Sequence, residues 1–244
     1  MAYSKITKGQ FVVRLDDINI HHRLTAFAAI GFAQEAAWLA SVEADISIPR
    51  LLEMGYTWIL SRTCLKVYEM PKYAEVISYE TYISTSEKFV SQRDGKFYRG
   101  DKLLFEVSTN WLFVDAIQKK LSRIPEYLTN ALLNTDKTPI EAPNHRLADV
   151  ESPDYQYSTT VRWHDLDLNN HTTNRQYIRW CLDALPKEIL DNELITQLDF
   201  QFKNETLLGE NLTVLAAKVA DGYIFKINSE NGKEVVRGEV LSRL

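Results

Sequence analysis

LTAFAAIGFAQEAAWLASV, residues 24–42, decides how the rest of the chain is read. It is the longest apolar stretch in the protein, and Gln34 and Glu35 interrupt it at its centre. A bilayer crossing needs about 20 uninterrupted apolar residues. The segment is therefore predicted to be a buried helix of a soluble, cytoplasmic protein that makes no membrane contact. A second helix is predicted over about 173–185, where Tyr177, Ile178, Cys181, Leu182 and Leu185 recur at helical spacing. Thr172, Thr173 and Asn174 are its candidate N-caps, and Pro186 marks the stop. Both helices are apolar enough to be wrapped by a sheet rather than laid on one.

Strand-like runs supply that sheet. YAEVISYETYIST (73–85), LLFEVSTNWLFV (103–114), NLTVLAAKVA (211–220) and YIFKINSE (223–230) roughly alternate polar and apolar residues. Such alternation fits strands with one covered face. DGK (94–96), RGDK (99–102), ADG (220–222) and ENGK (230–233) fall between such runs, and their glycines supply the positive φ of tight hairpins. Antiparallel, hairpin-linked sheets follow. The stretch 122–157, with Pro125, Pro139, Pro143 and Pro153, breaks the pattern and reads as an inter-domain linker with short helical pieces near 125–133.

The two halves repeat each other. A shift of 148 places Val13-Arg14 on Val161-Arg162, Asp17 on Asp165, Thr25 on Thr173, Ile30 on Ile178 and Ala36 on Ala184. Farther on the shift is 135, setting LKVYEMPKYAEVISYET against FQFKNETLLGENLTVLA. The first half thus carries extra residues, expected within 43–57. A helix followed by a long antiparallel sheet, occurring twice, gives the fold class: α+β, a tandem (double) hotdog, each unit a long helix wrapped by a curved antiparallel sheet. The expected domains are 1–121, the linker 122–157, and 158–244. The 244 residues suit two units of about 100–120 residues each.

Composition narrows the function. Apolar residues make up 45% and charged residues 25%, the mix of an ordinary globular protein. With 28 basic against 33 acidic residues the net charge is -5, which argues against a nucleic-acid partner. Cys64 and Cys181 cannot make a disulfide framework, and a reducing compartment is the simple reading. No glycine-rich phosphate loop, dinucleotide fingerprint or metal-ligand spacing occurs, so no cofactor and no metal are expected.

Polar residues crowd into VRWHDLDLNNHTTNRQYIRW, residues 161–180. If 167–171 is extended, Asp167, Asn169 and His171 share a side, just before a helix N-terminus whose free N–H groups favour negative charge. A carboxylate, an amide and an imidazole there suit attack of water on an acyl carbonyl. A capping loop whose Asp and Asn bond their own backbone is the plain alternative. The first half has Asn19, His21 and Arg23 at the matching places, and Met70 where the second has Glu205. Residues needed only to build the fold should persist in both copies, so one half reads as the chemical copy and the other as a scaffold or substrate-lining copy.

DLDLNNHTTNRQYIRWCLDALP closely resembles the D-L-D-x-N-x-H-x-x-N-x-x-Y-x-x-W signature of acyl-acyl carrier protein thioesterases, the plant Fat-type enzymes and their bacterial relatives. WILSRTCLKVYEMPKYAEVISYET and SQRDGKFYRGDKLLFEVSTNWLFVD resemble first-half segments of that family. The resemblance implies a thioester hydrolase that releases free fatty acid from acyl-acyl carrier protein, terminating fatty acid synthesis, with the carrier as partner and a homodimer left open. It assigns catalytic roles to Asp167, Asn169, His171 and Glu205. Glu205 is cast as the base that activates water, Asn169 and His171 as holders of the carbonyl or oxyanion, and Asp167 as the residue that orients the loop. The choice of base between Glu205 and His171 stays open. Some plant members have a cysteine directly after that glutamate; here the position is Thr206, which favours direct general-base hydrolysis. The N-terminal unit would hold the acyl chain, its depth set by residues such as Phe27, Ile30, Phe32 and Trp38. Arg175, Arg179 and Lys187, or Lys119, Lys120 and Arg123, are candidate carrier contacts. The remaining histidines, His21, His22, His145 and His164, read as surface or loop residues. An acyl-CoA thioesterase and a non-catalytic acyl-binding hotdog protein are the competing readings.

Overall fold

Alternation along the chain sets the sheets, and the computed structural model describes them over residues 5–141, 145–191 and 195–243. The chain divides into two compact units, Met1–Ala142 and Pro143–Leu244. In the first unit the strands are β1 (Thr7–Val12), β2 (Tyr56–Val67), β3 (Val76–Glu87), β4 (Val90–Arg99), β5 (Lys102–Asp115) and the two-residue β6 (Lys120–Leu121). They pair antiparallel in the order β1-β3-β4-β5-β2, with β6 on β5. The helices are α1 (Ala26–Glu43), α2 (Ile48–Glu53) and α3 (Glu126–Leu132).

α1 packs on β1, β3 and β4. Thr25 caps it, its side chain accepting from the Ala28 N–H at 3.1 Å. Ala28, Ala29, Ile30, Phe32, Ala36 and Ala40 are buried along it, and the alanines let the sheet approach closely. Beneath it Phe97 and Phe105 stack at 4.4 Å, beside the fully buried Leu65, Ile77 and Leu104. Burying each such side chain is worth about 1.5–3 kcal/mol. Ile46, Leu51, Phe113, Leu128 and Leu132 form a satellite core under α2 and α3.

The second unit holds β7 (Tyr155–Thr160), α4 (Asn174–Asp183), α5 (Lys187–Asp191), β8 (Ile195–Phe202), β9 (Asn211–Val219), β10 (Gly222–Ser229) and β11 (Glu234–Ser242). Its strands pair antiparallel in the order β8-β11-β10-β9-β7. α4 lies on β9 and β10 and buries Tyr177, Ile178, Trp180, Cys181 and Leu182. Gly238, opposite Phe200 on β8, is obligatory: a Cβ there would come 2.3 Å from the Phe200 ring. Each unit is a hotdog, a helix against a curved antiparallel sheet.

Two sequence expectations shift. The extra residues of the first half lie mainly in the helix and the strand that follows, since α1 has 18 residues against 10 in α4 and β2 has 12 against 8 in β8. The stretch 122–157 is divided between the units rather than standing between them. α3 is held in the first unit's satellite core through Leu128 and Leu132, and Tyr155–Thr160 pairs with β9. The prolines masked this, although the apolar residues at 124, 128 and 132 have helical spacing. Pro143 lies outside the described residues. Among the described residues no helix is long and apolar enough to cross a membrane.

Candidate active site

The polar loop of the second unit is built by its own hydrogen bonds. After β7, a 3₁₀ turn at Trp163–Asp165 forms, and the Asp165 carboxylate accepts from the Arg162 N–H at 2.7 Å. The loop then closes on Asp167. Its N–H donates to the His171 carbonyl at 2.8 Å, and its Oδ1 accepts from the backbone of Asn169 at 2.7 Å and of His171 at 3.3 Å. Asn170 takes the left-handed conformation, φ 60°, that asparagine tolerates best after glycine.

Thr172 then ties the loop to the connection after β8. Its N–H donates to the Thr206 carbonyl at 2.9 Å, and the two hydroxyls meet at 2.7 Å. The Tyr177 hydroxyl lies 2.8 Å from the Thr206 hydroxyl and accepts from the Thr206 N–H at 3.1 Å. All three residues are buried, and burial pushes the Tyr177 phenol up, keeping it neutral. Next to this anchored pair, His171 Nδ1 comes within 3.3 Å of Glu205 Oε2, across 34 positions of sequence. The imidazole is one-third exposed and the carboxylate 55% exposed, so water reaches both.

Of the four residues singled out by sequence, the structure brings His171 and Glu205 into contact. Asp167 meets His171 only through the main chain; its carboxylate is spent on the loop. Asn169 is exposed, and its amide has no hydrogen bond to another described residue. Thr172, Tyr177 and Thr206 were missed as a group. Tyr177 was visible as a core residue and Thr206 as a substitution, but their meeting is tertiary. Cys181 is fully buried, and burial pushes its thiol well above the ordinary range, while Cys64 is buried on β2. The Cys181 thiol is therefore not poised as a thiolate.

The matching loop of the first unit has the same frame. Asn19 Oδ1 accepts from the backbone of His21 at 2.9 Å and of Arg23 at 3.1 Å, and the Asn19 N–H donates to the Arg23 carbonyl at 2.8 Å. His22 takes φ 59°. Where His171 faces Glu205, Arg23 donates to the Met70 carbonyl at 3.2 Å.

The first unit also contains a cavity of about 100 Å³, partly open to solvent, between α1 and the sheet. Gln34 and Trp38 line it from α1, and Trp58, Arg93 and Trp111 from the strands. Of the four residues expected to set its depth, only Trp38 is in its wall. Ile30 and Phe32 are committed to the core, Phe32 stacking on Phe11 at 4.9 Å, and Phe27 is not in the wall either. The cavity lies against the C-terminal half of α1.

His145, read as an isolated surface residue, has a partner. Its ring lies 3.2 Å from the Glu239 carboxylate, and with the buried Asp199 the three present ligand atoms within 4.8 Å of one another. Sequence spacing gave no sign of this group, because β8 and β11 bring its carboxylates together in register.

Comparison with known proteins places the chain. Residues 4–132 match the model for the acyl-ACP thioesterase N-terminal domain, and residues 149–242 the model for the acyl-ACP thioesterase C-terminal domain. A chloroplastic palmitoyl-acyl carrier protein thioesterase of Arabidopsis thaliana is 27% identical over 215 residues, covering 79% of this chain and 51% of the relative. The chain spans about half the length of the curated relatives it matches. An acyl-ACP thioesterase structure from Bacteroides thetaiotaomicron has a TM-score of 0.88 at 22% identity, covering 98% of both chains. That of the 12:0-ACP thioesterase from Umbellularia californica has a TM-score of 0.87 at 18% identity, covering 99% of this chain and 98% of the other.

Proposed function

The chain belongs to the acyl-ACP thioesterase family, and on that premise we propose that it hydrolyses the thioester of acyl-acyl carrier protein to free fatty acid and carrier. The observation that carries the reading is the His171–Glu205 contact at 3.3 Å, made by a loop fixed from both sides. Glu205 is the general base. With its proton on Nδ1, His171 donates to one carboxylate oxygen and aims the other at water. As the water oxygen bonds to the acyl carbon, its proton passes to Glu205. The carbonyl electrons move to oxygen, where the Asn169 amide and the N–H groups at the start of α4 are the donors at hand. Collapse breaks the C–S bond, and the carrier's thiolate takes up the proton. The His171 Nδ1 faces Glu205 Oε2 at 3.3 Å, and we therefore assign His171 to Glu205 rather than to the carbonyl. Asp167 positions the loop.

The N-terminal unit, whose cavity is walled largely by tryptophan and isoleucine side chains beside Gln34 and Arg93, is assigned the acyl chain, and the C-terminal unit the reaction. For the acidic carrier the first unit offers Lys119, Lys120 and Arg123, exposed and without an ion pair among the described residues. Arg179 is paired to Asp183 at 4.0 Å. Cys64 and Cys181 stand as thiols, which suits the cytoplasm. The test is thiol release from acyl-carrier thioesters of graded chain length beside matched acyl-CoA thioesters. Faster release from the carrier thioesters, abolished by Glu205→Gln, supports the proposal. Equal rates on acyl-CoA overturn the carrier assignment, and binding without release overturns hydrolysis.

A further inference from the structure

Arg93 is the one strand residue whose charge the mechanism leaves unused in the cavity wall. It sits on β4 opposite Ile83 of β3 and Thr109 of β5, and it lines the cavity together with Ile83. Its guanidinium has no hydrogen bond and no ion pair with any described residue. The neighbouring Asp94 does not neutralise it. Successive strand residues point to opposite faces, and the Asp94 carboxylate is engaged by the Gln92 amide at 3.0 Å and the Ile140 N–H at 2.8 Å. Burial pushes the Arg93 guanidinium down to about 10, with Asp94 acting weakly against it. It stays charged at neutral pH.

The cavity around it is otherwise mostly apolar, and the Ser41 and Ser91 hydroxyls in its wall bond the Trp38 carbonyl and the Ser86 hydroxyl. Trp38, Trp58 and Trp111 form much of the wall. The Trp111 indole N–H is used by Thr109 at 2.9 Å, so it does not serve the cavity. Gln34, across on α1, is the second polar group without a hydrogen bond to another described residue. Arg93 is only partly exposed, at the wall of a half-open cavity, and a cation with no partner in so apolar a place is costly. A plain alkyl chain packed against it would deepen that cost by expelling water. An anion would relieve it, because a guanidinium binds a carboxylate through two parallel N–H donors.

We propose that this cavity is a carboxylate-binding subsite, taking an aliphatic chain whose carboxylate ends on Arg93 and Gln34 while its methylenes lie among the three tryptophans. Two sources carry that chemistry. One is a free fatty acid, the product of the proposed reaction, entering head first as an inhibitor. The other is an acyl thioester with a carboxylate at its far end. The identity of the acyl source rests on the proposed hydrolase function; the subsite itself does not.

The test begins with the unaltered chain, using quenching of the cavity tryptophans by decanoate and by 1-decanol. Decanoate should bind about 10-fold or more tightly than the alcohol, the difference expected of one charge-assisted pair. Arg93→Met should erase the preference, and Arg93→Lys should retain part of it. Equal binding of acid and alcohol by the unaltered chain overturns the proposal, as does a preference that survives in a folded Arg93→Met. The sources are then separated by kinetics. Competitive inhibition of decanoyl-carrier hydrolysis by decanoate assigns the subsite to product. Faster cleavage of an ω-carboxydecanoyl thioester than of the decanoyl thioester, lost in Arg93→Met, assigns it to substrate. A chain that binds decanoate selectively yet cleaves no thioester sinks the hydrolase reading alone.

Discussion

The loops at 19–23 and 167–171 are the same object built twice. Each closes on a side-chain oxygen at its first position, Asn19 or Asp167, which accepts the backbone N–H groups two and four residues on. Each carries a left-handed residue at its fourth position, His22 or Asn170. Each is then sewn to a distant connection, Leu24 to Pro71 at 2.8 Å and Thr172 to Thr206 at 2.9 Å. What differs is what the frame presents. In the first unit the anchoring positions are the apolar Leu24, Ala29 and Pro71; in the second they are Thr172, Tyr177 and Thr206, joined by hydroxyl hydrogen bonds. The first unit fastens its connection with charges instead. Glu69 pairs with Arg99 and Lys102, and Arg99 also pairs with Glu75 at 3.0 Å. The comparison separates frame from proposed chemistry: Asp167 holds its loop as Asn19 does, whereas the imidazole and carboxylate of His171 and Glu205 stand where the first unit has Arg23 and Met70.

The hardest blow to this division is at Glu205 and His171. Glu205→Gln and His171→Ala should each lower kcat about 10²–10⁴-fold with the fold intact, the loss typical of a missing general base or its partner. Circular dichroism beside single-turnover rates checks this, and a fully active Glu205→Gln would dissolve the distinction between the copies.

Asp167 sharpens it. If Asp167 is a frame residue, Asp167→Asn should copy Asn19 and keep kcat within a few-fold, while Asp167→Ala should let the loop drift and lose about 10²-fold. Equal losses in both variants would move Asp167 from the frame into the chemistry.

The hydroxyl anchor is the next largest effect. Tyr177→Phe leaves the buried Thr206 N–H without its acceptor, a cost of about 1–3 kcal/mol, read as a lowered urea midpoint. A Tyr177→Phe chain as stable as the parent would mean the anchor is dispensable.

The smallest effect is at Glu69. Its hydrogen bonds from Lys102 and Arg99 hold its carboxyl at about 2, well below the usual range. A depressed folded value contributes stability above about pH 4.5, and that stability fades as pH falls toward 2. Glu69→Gln should therefore cost about 1 kcal/mol at pH 7, after allowing for solvent screening of an exposed network, and nothing near pH 2. Melting curves at the two pH values read this directly, and activity should not change.

The repeat, the two long helices and most strands of the hairpins are legible in the sequence, because those depend on period, turn residues and spacing within a few positions. The dense polar loop is legible for the same reason: Asp167, Asn169 and Asn170 make their hydrogen bonds with neighbours in the chain. Which polar residues meet depends on contacts between distant parts of the chain. His171 reaches Glu205 because Thr172 bonds Thr206, a pairing over 34 residues that no local pattern encodes. The tertiary structure likewise placed the cavity at Trp38 rather than Phe27, divided residues 122–157 between the two units, and left Arg93 facing apolar walls. An arginine in a strand reads as a solvated charge until the neighbouring strands and the helix set it among tryptophans and leave it only partly exposed.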